Sequence, residues 1–86
     1  MRQPMAAIPA TRTVTGHILL VQETRFRLVT DDGQGYLLTL AHDANVEPPD
    51  LERLRHANSR VEVEYEGAPN LVSGKARRVR AVSAPD

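Results

Sequence analysis

The chain has 86 residues, 41% of them apolar, with eleven acidic and eleven basic side chains and no cysteine. That length makes one domain, burying roughly 60–65% of its unfolded surface. The charge balance gives no global attraction to nucleic acid, membrane or acidic substrate, and disulfide and thiolate chemistry are excluded.

Residues 1–12 include Pro4 and Pro9 and are expected to form a flexible arm. The segment is too short and too proline-broken for a secretory leader, and no apolar run approaches the ~18 residues of a membrane span. A cytoplasmic monomer without membrane contact is therefore expected. Thr13–Glu23 predicts the first strand, with Val14, Gly16, Ile18 and Leu20 on one face and Thr15, His17, Leu19 and Val21 on the other. It is apolar on both faces only from Ile18 to Val21, as in a strand that is either central or bends to serve two halves of a barrel, and Gly16 suits the bend.

A hairpin follows, with strands Arg25–Thr30 and Tyr36–Ala41 around Asp31-Asp32-Gly33-Gln34-Gly35. Residues directly opposite in an antiparallel pair share a face, and a one-residue slip turns a strand inside out. An Asp32-Gly33 two-residue loop would set Leu28 against Leu37 and mix the faces. An odd loop sets Phe26 against Leu40 and Leu28 against Leu38, separating an apolar face from one carrying Arg25, Arg27, Leu37 and Thr39. Gly33 or Gly35 is then expected at positive φ in a bulge.

A short helix is predicted from about Pro49 to Ala57, over an opening in the sheet. Proline suits its first turn, Asp50 and Glu52 its positive end, and Arg53, Arg55 and His56 its negative end. Asn58 can stop it, and Leu51, Leu54 and Ala57 form its apolar stripe. Val61-Glu62-Val63-Glu64-Tyr65-Glu66 alternates strictly and predicts a strand with three glutamates outward. After the turn Gly67-Ala68-Pro69-Asn70, Leu71–Val82 predicts the last strand. Ala76, Val79 and Ala81 do not share one parity, so a bulge is expected near Arg77-Arg78, with both arginines outside. Ser83–Asp86 is a tail.

Three strands, a helix and two strands are the layout of the oligonucleotide/oligosaccharide-binding (OB) fold, an all-β, five-stranded Greek-key barrel with one helix between strands three and four. Residues 13–82 form the barrel. An SH3-like barrel is the main rival and usually lacks a helix at that position. The expected interior is Val14, Ile18, Leu20, Phe26, Leu28, Leu38, Leu40, Leu51, Leu54, Val61, Val63, Tyr65, Val79 and Ala81. Thr15-Gly16-His17-Ile18, the Phe26–Leu40 hairpin, Val61–Tyr65 and the close from Ala76 through Val79-Arg80 together resemble small OB-fold proteins of the cold-shock type. That resemblance implies a ligand face on strands two and three where bases stack on aromatics. Arg25, Arg27, Leu37 and Thr39 stand there instead, so the aromatic platform does not carry over.

The candidate nucleic-acid-binding residues are Arg25, Arg27, Tyr36 and Thr39, with Lys75, Arg77, Arg78 and Arg80 of the last strand. Arginine holds phosphates and stacks on bases, and Tyr36 is the one aromatic outside the expected core. Against this, Glu62, Glu64 and Glu66 on the neighbouring strand would neutralise much of the Lys75–Arg80 run. His17, His42 and His56 lack ligand spacing, and no nucleophile constellation or phosphate-cradling glycine loop is present. A non-enzymatic module without cofactor or metal is expected, its partner single-stranded nucleic acid or, alternatively, a protein reached through an apolar patch at Val29 and Leu37.

Overall fold

The computed structural model describes residues 11–67 and 73–82. The strands are β1 (Thr11–Gln22), β2 (Arg25–Thr30), β3 (Gly35–Leu40), β4 (Arg60–Glu66) and β5 (Ser73–Ala81), with one helix, α1 (Pro48–His56), between β3 and β4. The order of pairing is β1-β2-β3-β5-β4, and β4 returns to β1, so every strand has two neighbours and the sheet closes into a barrel. All pairs are antiparallel except β3 with β5. Residues 1–10, 68–72 and 83–86 lie outside the described residues. So do most of the expected arm, most of the Gly67–Asn70 turn, the Leu71-Val72 start of the last strand and the tail.

The first strand serves two partners, although its two-sided apolar stretch Ile18–Val21 pairs with β2 alone and leaves Leu19 and Leu20 exposed. Residues 11–17 pair with β4 and residues 16–22 with β2. Gly16 sits at the overlap, and the reason is close approach: a Cβ there would meet the Val29 carbonyl oxygen at 2.1 Å. Beyond it the strand departs from simple alternation. Ile18 pairs with Leu28 but Leu20 with Arg27, so Leu19 is an extra residue in a bulge. The parity flips there. Leu20, expected inside, is 47% exposed, and Val21 packs against the core instead.

The β2–β3 hairpin has an odd loop, but a shorter one than expected. Phe26 pairs with Leu38 and Leu28 with Tyr36, a register two residues away from the expected one. Both registers keep Phe26, Leu28 and Leu38 on the inner face, so alternation alone does not separate them. The turn chemistry does. The Thr30 N–H donates to the Gln34 carbonyl at 3.0 Å, and the Gly33 N–H to the Thr30 carbonyl at 3.0 Å. That leaves the three-residue loop Asp31-Asp32-Gly33, with Gly33 at φ 90°. The Thr30 hydroxyl donates to the Asp32 carboxylate, which with the Gln34 backbone holds that carboxyl below its ordinary pKa.

In α1 the Asp50 carboxylate accepts from the Glu47 N–H at 2.9 Å, and prolines occupy the first two positions. The helix ends in a Schellman motif. Asn58 adopts φ 54°, its N–H donates to the Arg55 carbonyl, and the Ser59 N–H donates to the Leu54 carbonyl. Leu51 is fully buried, Leu54 partly, and the helix lies against β1. Ala57, expected in the apolar stripe, is exposed.

β4 alternates as its sequence predicts, Val61, Val63 and Tyr65 inside. β5 carries the expected bulge: Glu64 pairs with Arg78 and Tyr65 with Ala76, leaving Arg77 extra. This brings both Ala76 and Val79 inside. Ala81, expected inside, is exposed at the strand end, while Ala41, expected at the hairpin's outer parity, is buried and donates its N–H to the Ala76 carbonyl. The core otherwise comprises Val14, Ile18, Phe26, Leu28, Leu38, Leu40, Leu51, Val61, Val63 and Tyr65.

Candidate nucleic-acid interface

Cross-strand register assembles the outer face of β1, β2, β3 and β5 from residues far apart in the chain. Gln22 pairs with Arg25, Arg25 with Thr39, and Thr39 with Lys75. One step along, Leu20 pairs with Arg27 and Arg27 with Leu37. All seven side chains are exposed, as alternation dictates for the side opposite Phe26, Leu28 and Leu38. A shallow depression of about 140 Å³ runs between Leu20, Gln22, Arg25, Arg27 and Leu37. Arg25, Leu37, Thr39 and Lys75 line a second one beside it.

The charges divide sharply between faces. Arg80 Nη2 lies 2.7 Å from Glu62 Oε1, and Arg78 Nε 3.9 Å from Glu64 Oε1. Arg77 lies between two acids, with Nη1 2.6 Å from Asp43 Oδ1 and Nε 3.3 Å from Glu66 Oε2. Glu66 first and Asp43 second raise the Arg77 pKa above its ordinary value. Arg53, Arg55 and Arg60 pair with Asp50, Glu52 and Asp31. Four cations remain without a carboxylate partner among the described residues: Arg12, Arg25, Arg27 and Lys75. Three of those four stand together on the outer face.

The expected site residues therefore separate. Arg25, Arg27, Thr39 and Lys75 come together, whereas Arg77, Arg78 and Arg80 are drawn into the β4 glutamate ladder. Tyr36 is not brought to this face. It pairs with buried Leu28 across the hairpin, is half-buried, and meets Tyr65 edge-on with ring centroids 5.9 Å apart. Burial pushes the Tyr65 phenol above its ordinary pKa. Leu20 and Gln22 enter the face through the Leu19 bulge, which sequence reasoning did not place. The available signal was the adjacent leucines at 19 and 20, where alternation breaks. Among the described residues no three His, Asp or Glu side chains converge as a metal site, and no helix is long and apolar enough to cross a membrane.

No family model, curated protein or solved structure matches the chain.

Proposed function

We propose that the chain is a non-enzymatic OB-fold module that binds single-stranded nucleic acid weakly and in a salt-sensitive way. The strand order, the parallel β3–β5 contact and the helix between β3 and β4 support the OB assignment. In such barrels the β2–β3 face is the usual ligand side. The observation that carries the reading is the clustering on that face of Arg25, Arg27 and Lys75, without an ion-pair partner among the described residues, while six other arginines hold carboxylates. Base stacking on aromatics contributes about 1–3 kcal/mol per base, and this face has none, so phosphate contact dominates and affinity is low. The test is titration of labelled single-stranded DNA and RNA at two salt concentrations. Binding that weakens as salt rises is expected; no binding at low salt, or affinity indifferent to salt, rejects the reading.

A protein partner is the second reading, favoured by the exposure of Leu19, Leu20 and Leu37. Val29, expected in that patch, is half-buried. Purification from the native host separates the two: a stoichiometric protein partner favours this reading, nuclease-sensitive material the first.

A further inference from the structure

The outer face is laid out in two rows of different chemistry, and the geometry points to a division of labour within a bound single strand. The phosphodiester backbone follows the polar row Gln22-Arg25-Thr39-Lys75, and the bases lie against the aliphatic row Leu20-Arg27-Leu37. This rests on the proposed single-strand binding and specifies how that site receives its ligand.

Both rows run across the strands, because each is built from directly paired residues on neighbouring strands. Adjacent strands lie about 4.8 Å apart, so the polar row spans about 14 Å over its three steps. That length covers about four nucleotides at the ~3.4 Å rise of a stacked strand, and fewer in a stretched one. The rows are two residues apart along each strand, or about 6.7 Å, enough to separate a phosphate from the base attached to the same sugar.

The chemistry of each row is distinct. Within the polar row Thr39, a hydroxyl donor, lies between Arg25 and Lys75, and none of these makes an ion pair with a carboxylate among the described residues, although Glu66 stands opposite Lys75 in register. The second row places Arg27 between Leu20 and Leu37, 47% and 46% exposed. Leucines in water gain by covering an apolar ligand surface, at roughly 25 cal/mol per Å². A base offers such a surface; a phosphate does not. The Arg27 guanidinium can stack on a base plane between the two leucines, an arrangement that takes the place of the absent aromatic platform. A duplex hides its base faces and can use only the polar row.

Two probes of equal length distinguish the rows: a labelled oligothymidine and an abasic phosphodiester oligomer. For the unmodified protein, tighter binding of oligothymidine is expected, with the same salt slope for both. Leu20→Ala and Leu37→Ala should each weaken oligothymidine several-fold, leave the abasic oligomer unchanged and leave the salt slope unchanged. Arg25→Ala and Lys75→Ala should weaken both probes equally and each reduce the slope by about 0.7. All four positions are exposed, and unchanged melting curves establish that the variants fold. Equal affinity of the two probes, or leucine variants that affect both alike or neither, overturns the row assignment while leaving single-strand binding intact. An unmodified protein that binds neither probe at low salt overturns the function itself, and the row assignment with it.

Discussion

Beyond Leu40 the parallel pairing of β3 with β5 ends, and a side chain takes over the next backbone groups. Asn45 Nδ2 donates to the Val79 carbonyl at 3.0 Å, and the Val79 N–H donates to Asn45 Oδ1 at 2.8 Å. One carboxamide thus does the work of a strand residue where β5 would otherwise present a bare edge. Asn45→Ala leaves a donor and an acceptor of buried Val79 without these partners, so a loss of about 1–3 kcal/mol is expected by urea denaturation. A loss under about 0.5 kcal/mol would mean that water replaces the amide at little cost. Gly16 is the second residue on which closure depends. A methyl group there meets the Val29 carbonyl, which is backbone and cannot swing aside. Gly16→Ala should separate β1 from β2 and cost about 3 kcal/mol, at the upper end of overpacking effects. A thermal melt indistinguishable from the parent would refute that close approach.

At the scale of elements, β4 and β5 are joined outside by charge as well as by hydrogen bonds. Glu62 pairs across to Arg80, and Glu64 to Arg78, each directly opposite in register. Exposed cross-strand pairs contribute roughly 0.2–1 kcal/mol each. Replacing both glutamates by glutamine should therefore cost about 1 kcal/mol, or about 4–8 °C of Tm in a domain this small. Because Arg78 and Arg80 are largely exposed, the difference should shrink in high salt; a Tm equal to the parent's at low salt would show that the pairs are merely solvated. These elements also show what a sequence carries. The alternation in Val61–Glu66 and in Arg25–Val29 fixes both faces, and the parity break between Ala76 and Val79 locates the β5 bulge. The adjacent leucines at 19 and 20 mark the β1 bulge, but they are chemically alike, so nothing local says which of them is extra. The hairpin register was hidden because loops of three and five residues give the same faces. Only the Thr30–Gln34 pairing with Gly33 at positive φ decides between them. The candidate site was legible to the same extent: Arg25, Arg27 and Thr39 follow from strand parity. Lys75 parts from Arg77, Arg78 and Arg80 only through long-range pairing with β3 and β4.

For the whole molecule, net charge is zero and yet the cations are not evenly compensated. Closing the barrel lays the β4 glutamates along the last strand, Glu62 opposite Arg80, Glu64 opposite Arg78 and Glu66 opposite Lys75, while β2 and β3 themselves carry no acid. Four of the six β5 positions 75–80 are basic, the densest basic run in the sequence, and they are split: Lys75 stands between Thr39 and Glu66 in register without an ion pair, whereas the arginines hold glutamate and aspartate. Counterion release distinguishes the two groups, because only a cation that meets phosphate displaces condensed ions, at a slope of about −0.7 per contact on a single strand. Of Arg25, Arg27 and Lys75, the two on the polar row, Arg25 and Lys75, set a slope of about −1.4 in log K against log salt. Replacing all three by alanine should flatten the slope toward zero and abolish measurable binding at moderate salt. Replacing Arg77, Arg78 and Arg80 instead should leave the slope within about 0.5 of the parent, although the chain loses the same amount of charge. Anisotropy titrations of one oligonucleotide across a salt series compare the two triple variants directly. If the Arg77, Arg78 and Arg80 triple flattens the slope as much as the other, the glutamates do not hold those arginines in solution. The linear basic run, rather than the face built by strand pairing, would then be what meets the ligand.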